Sequence, residues 1–156
     1  MIDHGALTDL LIYQLSTDTG ELVGDGIAPA EGGWLKGQPN QSVYVPYMVL
    51  VSGGASVMIN DLDGNLDWTV NWSLRYFGGS RKQVDWIANK ARNAIDGGPN
   101  NVLHNTFGVN QPFKITAVQW TNLGAVSRVD TVNPPYWQVY DSFGLVCSRN
   151  SFTPTL

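Results

Sequence analysis

The sequence predicts an α+β fold: a single domain in which one antiparallel or mixed β-sheet carries two main helices packed against it. Three observations predict it. In residues 66–77, LDWTVNWSLRYF, apolar and polar side chains alternate from Leu66 to Tyr76. Residues 80–96 place Val84, Ile87, Ala88, Ala91 and Ile95 at helical spacing. Around these run further strand-like segments, divided by glycine, proline and asparagine clusters, giving the order αβββαβββ.

In chain order, the spacing of Leu7, Leu10, Leu11 and Leu15 predicts a helix from about Asp3 to Ser16, with Asp3 as its N-cap. Residues 17–41 contain six glycines and two prolines and have no periodicity, so they read as one long loop. Loops of that length are uncommon in compact domains and are often functional. Residues 42–51, SVYVPYMVLV, predict a strand that Pro46 confines to an edge, a bulge or a strand start. A short strand at Ser56–Asn60 leads to the Asp63-Gly64 pair, a hairpin-turn signal.

The alternating segment then puts Leu66, Trp68, Val70, Trp72, Leu74 and Tyr76 on one face. Asp67, Thr69, Asn71, Ser73 and Arg75 fall on the other, the period-two pattern of a half-buried strand. A one-residue slip would move two tryptophans into water, so the register is well specified. Gly78-Gly79 end that strand. Ser80 and Gln83 form a capping-box signature for the second helix, and Gly97-Gly98 supply its stop. Strands follow at about Phe113–Thr121, Ser127–Val132 and Tyr136–Arg149.

At 156 residues with no internal repeat, the chain reads as one domain, 1–156. A domain of this size can bury about 68–70% of its unfolded surface and folds without disulfide or metal support. Cys147, the single cysteine, sits in a strand-like run and reads as a small core residue. MIDHGALTDLLIYQL has no basic n-region, so it does not read as a signal peptide, and no apolar run is long enough to span a membrane. Folding in a cytoplasm is the expectation. Charged residues make up 14% of the chain, against about 25% in an average soluble domain. Low charge together with 17 glycines and many aromatics points to a β-rich protein that covers surface with partners.

The net charge of −4 is unevenly spread: residues 1–67 hold nine acids and one base, Lys36, while residues 68–156 hold eight bases and four acids. No like-charged block is dense enough for a nucleic-acid arm. Catalytic signatures are missing as well. His4 and His104 lie in no ligand spacing, and there is no nucleophile elbow, P-loop or dinucleotide fingerprint. Neither enzyme activity, nor a cofactor, nor a metal is expected. DLDGN departs from a calcium loop, because Gly64 is fourth and Trp72 twelfth where Gly should be sixth and Glu twelfth.

Two tryptophan arrangements bear on binding. Trp68 and Trp72 share a strand face, as a sugar-stacking platform requires, but Leu66, Val70 and Leu74 share it too and favour a core role. Trp86 projects about 160° from Val84 on a helix turning about 100° per residue. It thus lies with Lys82, Asn89 and Asn93 on the outward side. An outward tryptophan is either an interface anchor or is covered by a loop or tail of the same chain. Arg75, Arg81, Lys82, Lys90 and Arg92 form a loose basic group that either pairs with an acidic neighbour or is simply solvated.

Three segments carry a resemblance. VGDGIAPAEGGW and VPYMVL, residues 23–34 and 45–50, are similar to the glycine-rich loop and first strand of tail terminator proteins of long-tailed (siphovirus-type) phages, especially those infecting actinobacteria. SRKQVDWIANKAR, residues 80–92, is similar to that family's R-x-Q-x-x-W-x-A helix. PPYWQVYDSFGLVC, residues 134–147, resembles its closing Pro-Pro strand. Residues 99–133 match least well.

The resemblance implies a virion structural protein that forms a homo-hexameric ring on the head-proximal end of the tail tube. It would stop tube growth and present a surface for head joining. It implies contact with the tail tube protein and with neck or head-completion proteins, non-specific passage of DNA through the lumen, and no membrane. On this reading Trp34, Arg75, Arg81, Lys82, Trp86 and Lys90 are candidates for subunit contacts, and Asp18, Glu21, Asp25 and Glu31 for acids facing the lumen or tube. A head-completion or stopper neck protein is the alternative within this class. A carbohydrate-binding module is the alternative outside it.

Overall fold

The computed structural model describes residues 4–34, 43–59, 66–96 and 113–149. Ten elements run along these described residues. They are α1 (His4–Thr19), β1 (Leu22–Asp25), β2 (Gly33–Trp34), β3 (Tyr44–Val45), β4 (Tyr47–Ile59), β5 (Leu66–Gly78), α2 (Arg81–Asp96), β6 (Phe113–Asn122), β7 (Ser127–Val129) and β8 (Tyr136–Arg149). The main sheet has the order β1-β4-β5-β8-β6, with β7 continuing beside β8. All its pairings are antiparallel except β1 with β4, which is parallel, so the sheet is mixed. The predicted α+β class, with two helices on one sheet, is the observed one.

The centre of the sheet follows the alternation read from the sequence. Val70, Trp72, Leu74 and Tyr76 of β5 are buried against Leu7, Leu11 and Leu15 of α1 and the Val84, Ile87, Ala88, Ala91, Ile95 stripe of α2. Beside them β8 adds Val139, Phe143, Leu145 and Cys147 on the same face. Cys147 is buried, as a core residue should be, and its thiol donates to the Leu145 carbonyl at 3.8 Å. The Trp72 indole nitrogen donates to Thr8 Oγ1 at 3.1 Å, which satisfies the one polar atom this ring brings into the core.

Four segmentations differ from expectation, each for a local reason. The segment 17–41 is not one loop. The first helix runs on to Thr19, whose hydroxyl bonds back to the Leu15 carbonyl at 2.6 Å. Leu22–Asp25 then pairs in parallel with Tyr47–Leu50, and Gly33-Trp34 pairs with Tyr44-Val45. Sequence periodicity missed β1 because it has only four residues, and its second half is glycine and aspartate. A Cβ on Gly24 would lie 2.0 Å from the Ile27 carbonyl oxygen, so the tight return after β1 requires glycine.

The strand expected at 42–51 is divided at Pro46 into β3 and β4. The separate strand expected at Ser56–Asn60 is instead the second half of β4, which continues through Gly53-Gly54 by a register shift there. Gly54 has φ of 89°, a conformation that favours glycine. Finally, Ser127–Val132 shortens to Ser127–Val129.

The second helix starts where its cap predicts. Gln83 N donates to Ser80 Oγ at 3.1 Å. The reciprocal half is displaced by one residue, since Gln83 Oε1 accepts from Gly79 N at 2.8 Å. Gln83 Nε2 also donates to the Tyr44 carbonyl at 3.2 Å, tying the helix start to β3. Asp3, Asp63-Gly64, Gly97-Gly98, His104 and the last seven positions, 150–156, lie outside the described residues.

Candidate interaction surfaces

Trp86 is where its helical phase puts it. It is 46% exposed, and its neighbours Lys82 and Asn89 are exposed with it. Its ring is not free on both faces. Lys90 Nζ lies 4.2 Å from the ring centroid, and the same ammonium donates to the Thr19 carbonyl at 2.9 Å and to Glu21 Oε1 at 3.2 Å. A loosely placed lysine would average over many rotamers. This one is fixed by two acceptors at and just beyond the end of α1, so it holds the indole in one orientation while the residue stays half-exposed.

The basic group of the sequence therefore divides in two. Lys90 is spent on Glu21 within the chain, and Arg92 on Asp141. Arg81 and Lys82 are exposed on the first turn of α2 and make no ion pair among the described residues. Arg75 projects from the face of the sheet away from the helices. Its guanidinium carbon lies 5.0 Å from the Tyr140 ring centroid, and its Nε is buried without a hydrogen-bond partner. Among the four acids expected to face a lumen or tube, Asp18, Asp25 and Glu31 are exposed. Glu21 is the one held in an ion pair.

That outer face carries an aromatic band the sequence reading did not single out. Trp34 meets Tyr44 edge-on at 5.1 Å, and Tyr44 stacks with Tyr47 at 6.4 Å. Tyr47 stacks with Phe77 at 4.8 Å, and Phe77 reaches Tyr136 at 5.8 Å and Tyr140 at 6.5 Å. The signal was available. Tyr47, Phe77 and Tyr140 have the opposite parity to the core residues of their own strands. Part of the band is roofed by its own chain: a Cβ on Gly32 would lie 2.6 Å from the Tyr47 ring, so the chain before β2 lies directly on that ring. Burial pushes the Tyr44 and Tyr47 phenols above the usual tyrosine range. Trp34, expected as a contact residue, is half-buried at one end of the band, with its Nε1 buried and unpartnered.

A second unforeseen feature is Asp141. It sits on the core-facing parity of β8 and is fully buried. Its Oδ2 accepts from Tyr76 Oη and Arg92 Nε, both at 2.8 Å. Its Oδ1 accepts from Arg92 Nη2 at 2.8 Å and from Gly124 N at 2.9 Å. Four donors saturate the carboxylate and join β5, α2, β8 and the β6–β7 connection. Burial and the adjacent carboxylate push the Tyr76 phenol far up, and the bidentate bond to Asp141 raises the Arg92 guanidinium.

The sugar platform is overturned by burial. Trp72 is 1% exposed beneath α1, and Trp68 packs against the core. Among the described residues no group of His, Cys, Asp and Glu is placed to hold a metal ion, and no helix is long and apolar enough to cross a membrane. No family model and no curated protein matches the chain. Among solved structures it is similar to a chain in the virion of a native gene transfer agent particle, with 14% identity and a TM-score of 0.47, over 88% of this chain and 91% of that one. Likeness at that level assigns no role.

Proposed function

We propose that this chain is a structural subunit of a tailed-phage virion, and within it the tail terminator: a ring, six-fold as the resemblance implies, at the head-proximal end of the tail tube that stops tube growth and offers a surface for head joining. The observation that carries the reading is Trp86, a half-exposed tryptophan held rigid by Lys90 on the outward side of the very helix whose sequence resembles the terminator family. Preorganised aromatic anchors of this kind dominate protein–protein contacts. The partners are copies of itself, the tube protein and the neck proteins.

The exposed acids Asp18, Asp25 and Glu31 suit a lumen that repels DNA and lets it pass without binding. Arg81 and Lys82 suit a contact with an acidic neighbour. The chemistry required is association alone, so the reading assigns no catalytic residue and no cofactor.

The decisive experiment is electron microscopy of particles made without this protein. A terminator's loss gives overlong or unjoined tubes, whereas loss of a stopper gives tails of normal length and leaking heads. Purified protein added to bare tubes should cap their head-proximal ends. Uniform decoration along the tube, or none, refutes the proposal.

A further inference from the structure

Resting on the ring reading above, we infer that neighbouring copies meet front to back: the outer sheet face around Arg75 and Tyr140 receives the outward stripe of α1, Asp9 and Tyr13, from the next copy. Two patches of one chain are complementary and lie on opposite sides of it.

The receiving patch is incomplete in a single copy. Arg75 Nε is buried and has no acceptor, and no carboxylate pairs with this side chain among the described residues. The guanidinium lies over the Tyr140 ring with its charge uncompensated among the described residues, which suits a carboxylate arriving at the rim of that ring. Tyr140, the ring under it, is 41% exposed, so the approach is open. Its hydroxyl is already turned to Gln138 Oε1 at 2.9 Å, which fixes the ring.

The arriving patch is equally specific. Asp9 is exposed and makes no ion pair among the described residues, and Tyr13, one helical turn on, is 63% exposed. Residues four apart stand on one face of a helix, so the acid and the ring present together.

The two patches do not meet within one molecule. Leu7, Leu11 and Leu15 bind α1 to the face of β5 that carries Trp72 and Leu74, and Arg75 leaves β5 from the opposite face. A second copy brings them together. Because the patches differ, each contact leaves one of each kind unused at the ends of a chain of copies, and a closed ring uses all of them.

The test uses the full-length protein. Sedimentation velocity measures self-association, alone and on tail tubes, for wild type, Arg75→Glu, Asp9→Arg and the double variant. Each single reversal should weaken association at least ten-fold, and the double variant should recover most of it. Asp9 lies on an exposed helix face, so Asp9→Arg remains informative if Arg75→Glu fails to fold. A photo-crosslinking amino acid in place of Tyr140 should capture the Asp9–Tyr13 segment of another copy.

Wild-type association that neither reversal changes, with crosslinks elsewhere on the chain, overturns this contact and leaves the ring reading standing. Crosslinks to the tube protein in place of a second copy also overturn it. A protein that stays monomeric at every concentration and joins tubes as single copies removes both.

Discussion

Replacing Asp141 by Asn keeps the volume and removes one charge, which makes it a sharp probe of the buried clamp. Each carboxylate oxygen accepts two donors: Tyr76 Oη and Arg92 Nε on Oδ2, Arg92 Nη2 and Gly124 N on Oδ1. Whichever position the amide nitrogen takes, it faces two donors as a third, so two bonds become repulsive contacts. Arg92 meanwhile loses its counter-charge with its side chain only 27% exposed. Breaking a buried pair on one side costs about 3–5 kcal/mol, and the partial exposure of Arg92 puts the expectation near ~3 kcal/mol. In a domain of this size that lowers Tm by roughly 6–12 °C.

Urea unfolding followed by tryptophan fluorescence gives the stability change directly. A double-mutant cycle with Arg92→Met isolates the coupling. The double variant should be less destabilised than the sum of the two single losses, because removing both partners strands no charge. A loss under about 1 kcal/mol for Asp141→Asn, together with additive effects in the cycle, would mean that water replaces the clamp at little cost. The reasoning about its saturation would then be wrong.

Further expectations follow from single features. Trp86→Ala should change unfolding stability by no more than about 1 kcal/mol, the worth of an exposed cation–π contact, yet abolish capping of tail tubes; retained capping would count against the anchor. Tyr44 and Tyr76 have phenols raised above the ordinary value near 10 by burial. Their contribution to stability is therefore complete below about pH 10 and is lost as pH climbs toward their folded values, by roughly 1.4 kcal/mol per pH unit for each. Stability flat from pH 10 to 11 would contradict this. A Cβ on Gly124 would lie 2.0 Å from the Tyr140 carbonyl oxygen, so Gly124→Ala should displace the β6–β7 connection and remove the amide bond to Asp141, visible as a lowered Tm.

What was legible in the sequence was whatever repeats over many residues. Eleven residues of alternation, 66–76, fixed the face of β5, and a sixteen-residue helix with a clean stripe fixed α2, including the outward phase of Trp86. β8 was read with its observed bounds. Features made by contact across the chain were not legible. β1 is four residues whose strand character comes from lying parallel to β4, and no local pattern encodes that. Asp141 carried a weak signal, an acid on the apolar parity of β8, but its partners come from β5, α2 and the connection before β7. The outer aromatic band was hidden for a related reason. Its rings come from five different strands, and alternation identifies two faces without saying that both bury aromatics.

The charge asymmetry shows most clearly how folding revises a sequence count. As composition, the first 67 residues are acidic and the remainder basic. In the fold, Glu21 and Lys90, which belong to opposite halves, neutralise one another, and Arg92 is consumed by Asp141. What is left to face a partner is smaller and better placed: Arg75, Arg81 and Lys82 where β5 passes into α2, and Asp9, Asp18, Asp25 and Glu31 on α1 and around β1. Exposed pairs are worth only about 0–1 kcal/mol each, so this remainder cannot drive assembly. The exposed rings Trp86, Tyr13 and Tyr140 have the area to do so: Tyr140 lies under Arg75, Tyr13 is one helical turn from Asp9, and Trp86 stands beside Lys90, which Glu21 holds. Charge then decides which ring approaches which surface, and the rings decide whether the contact lasts.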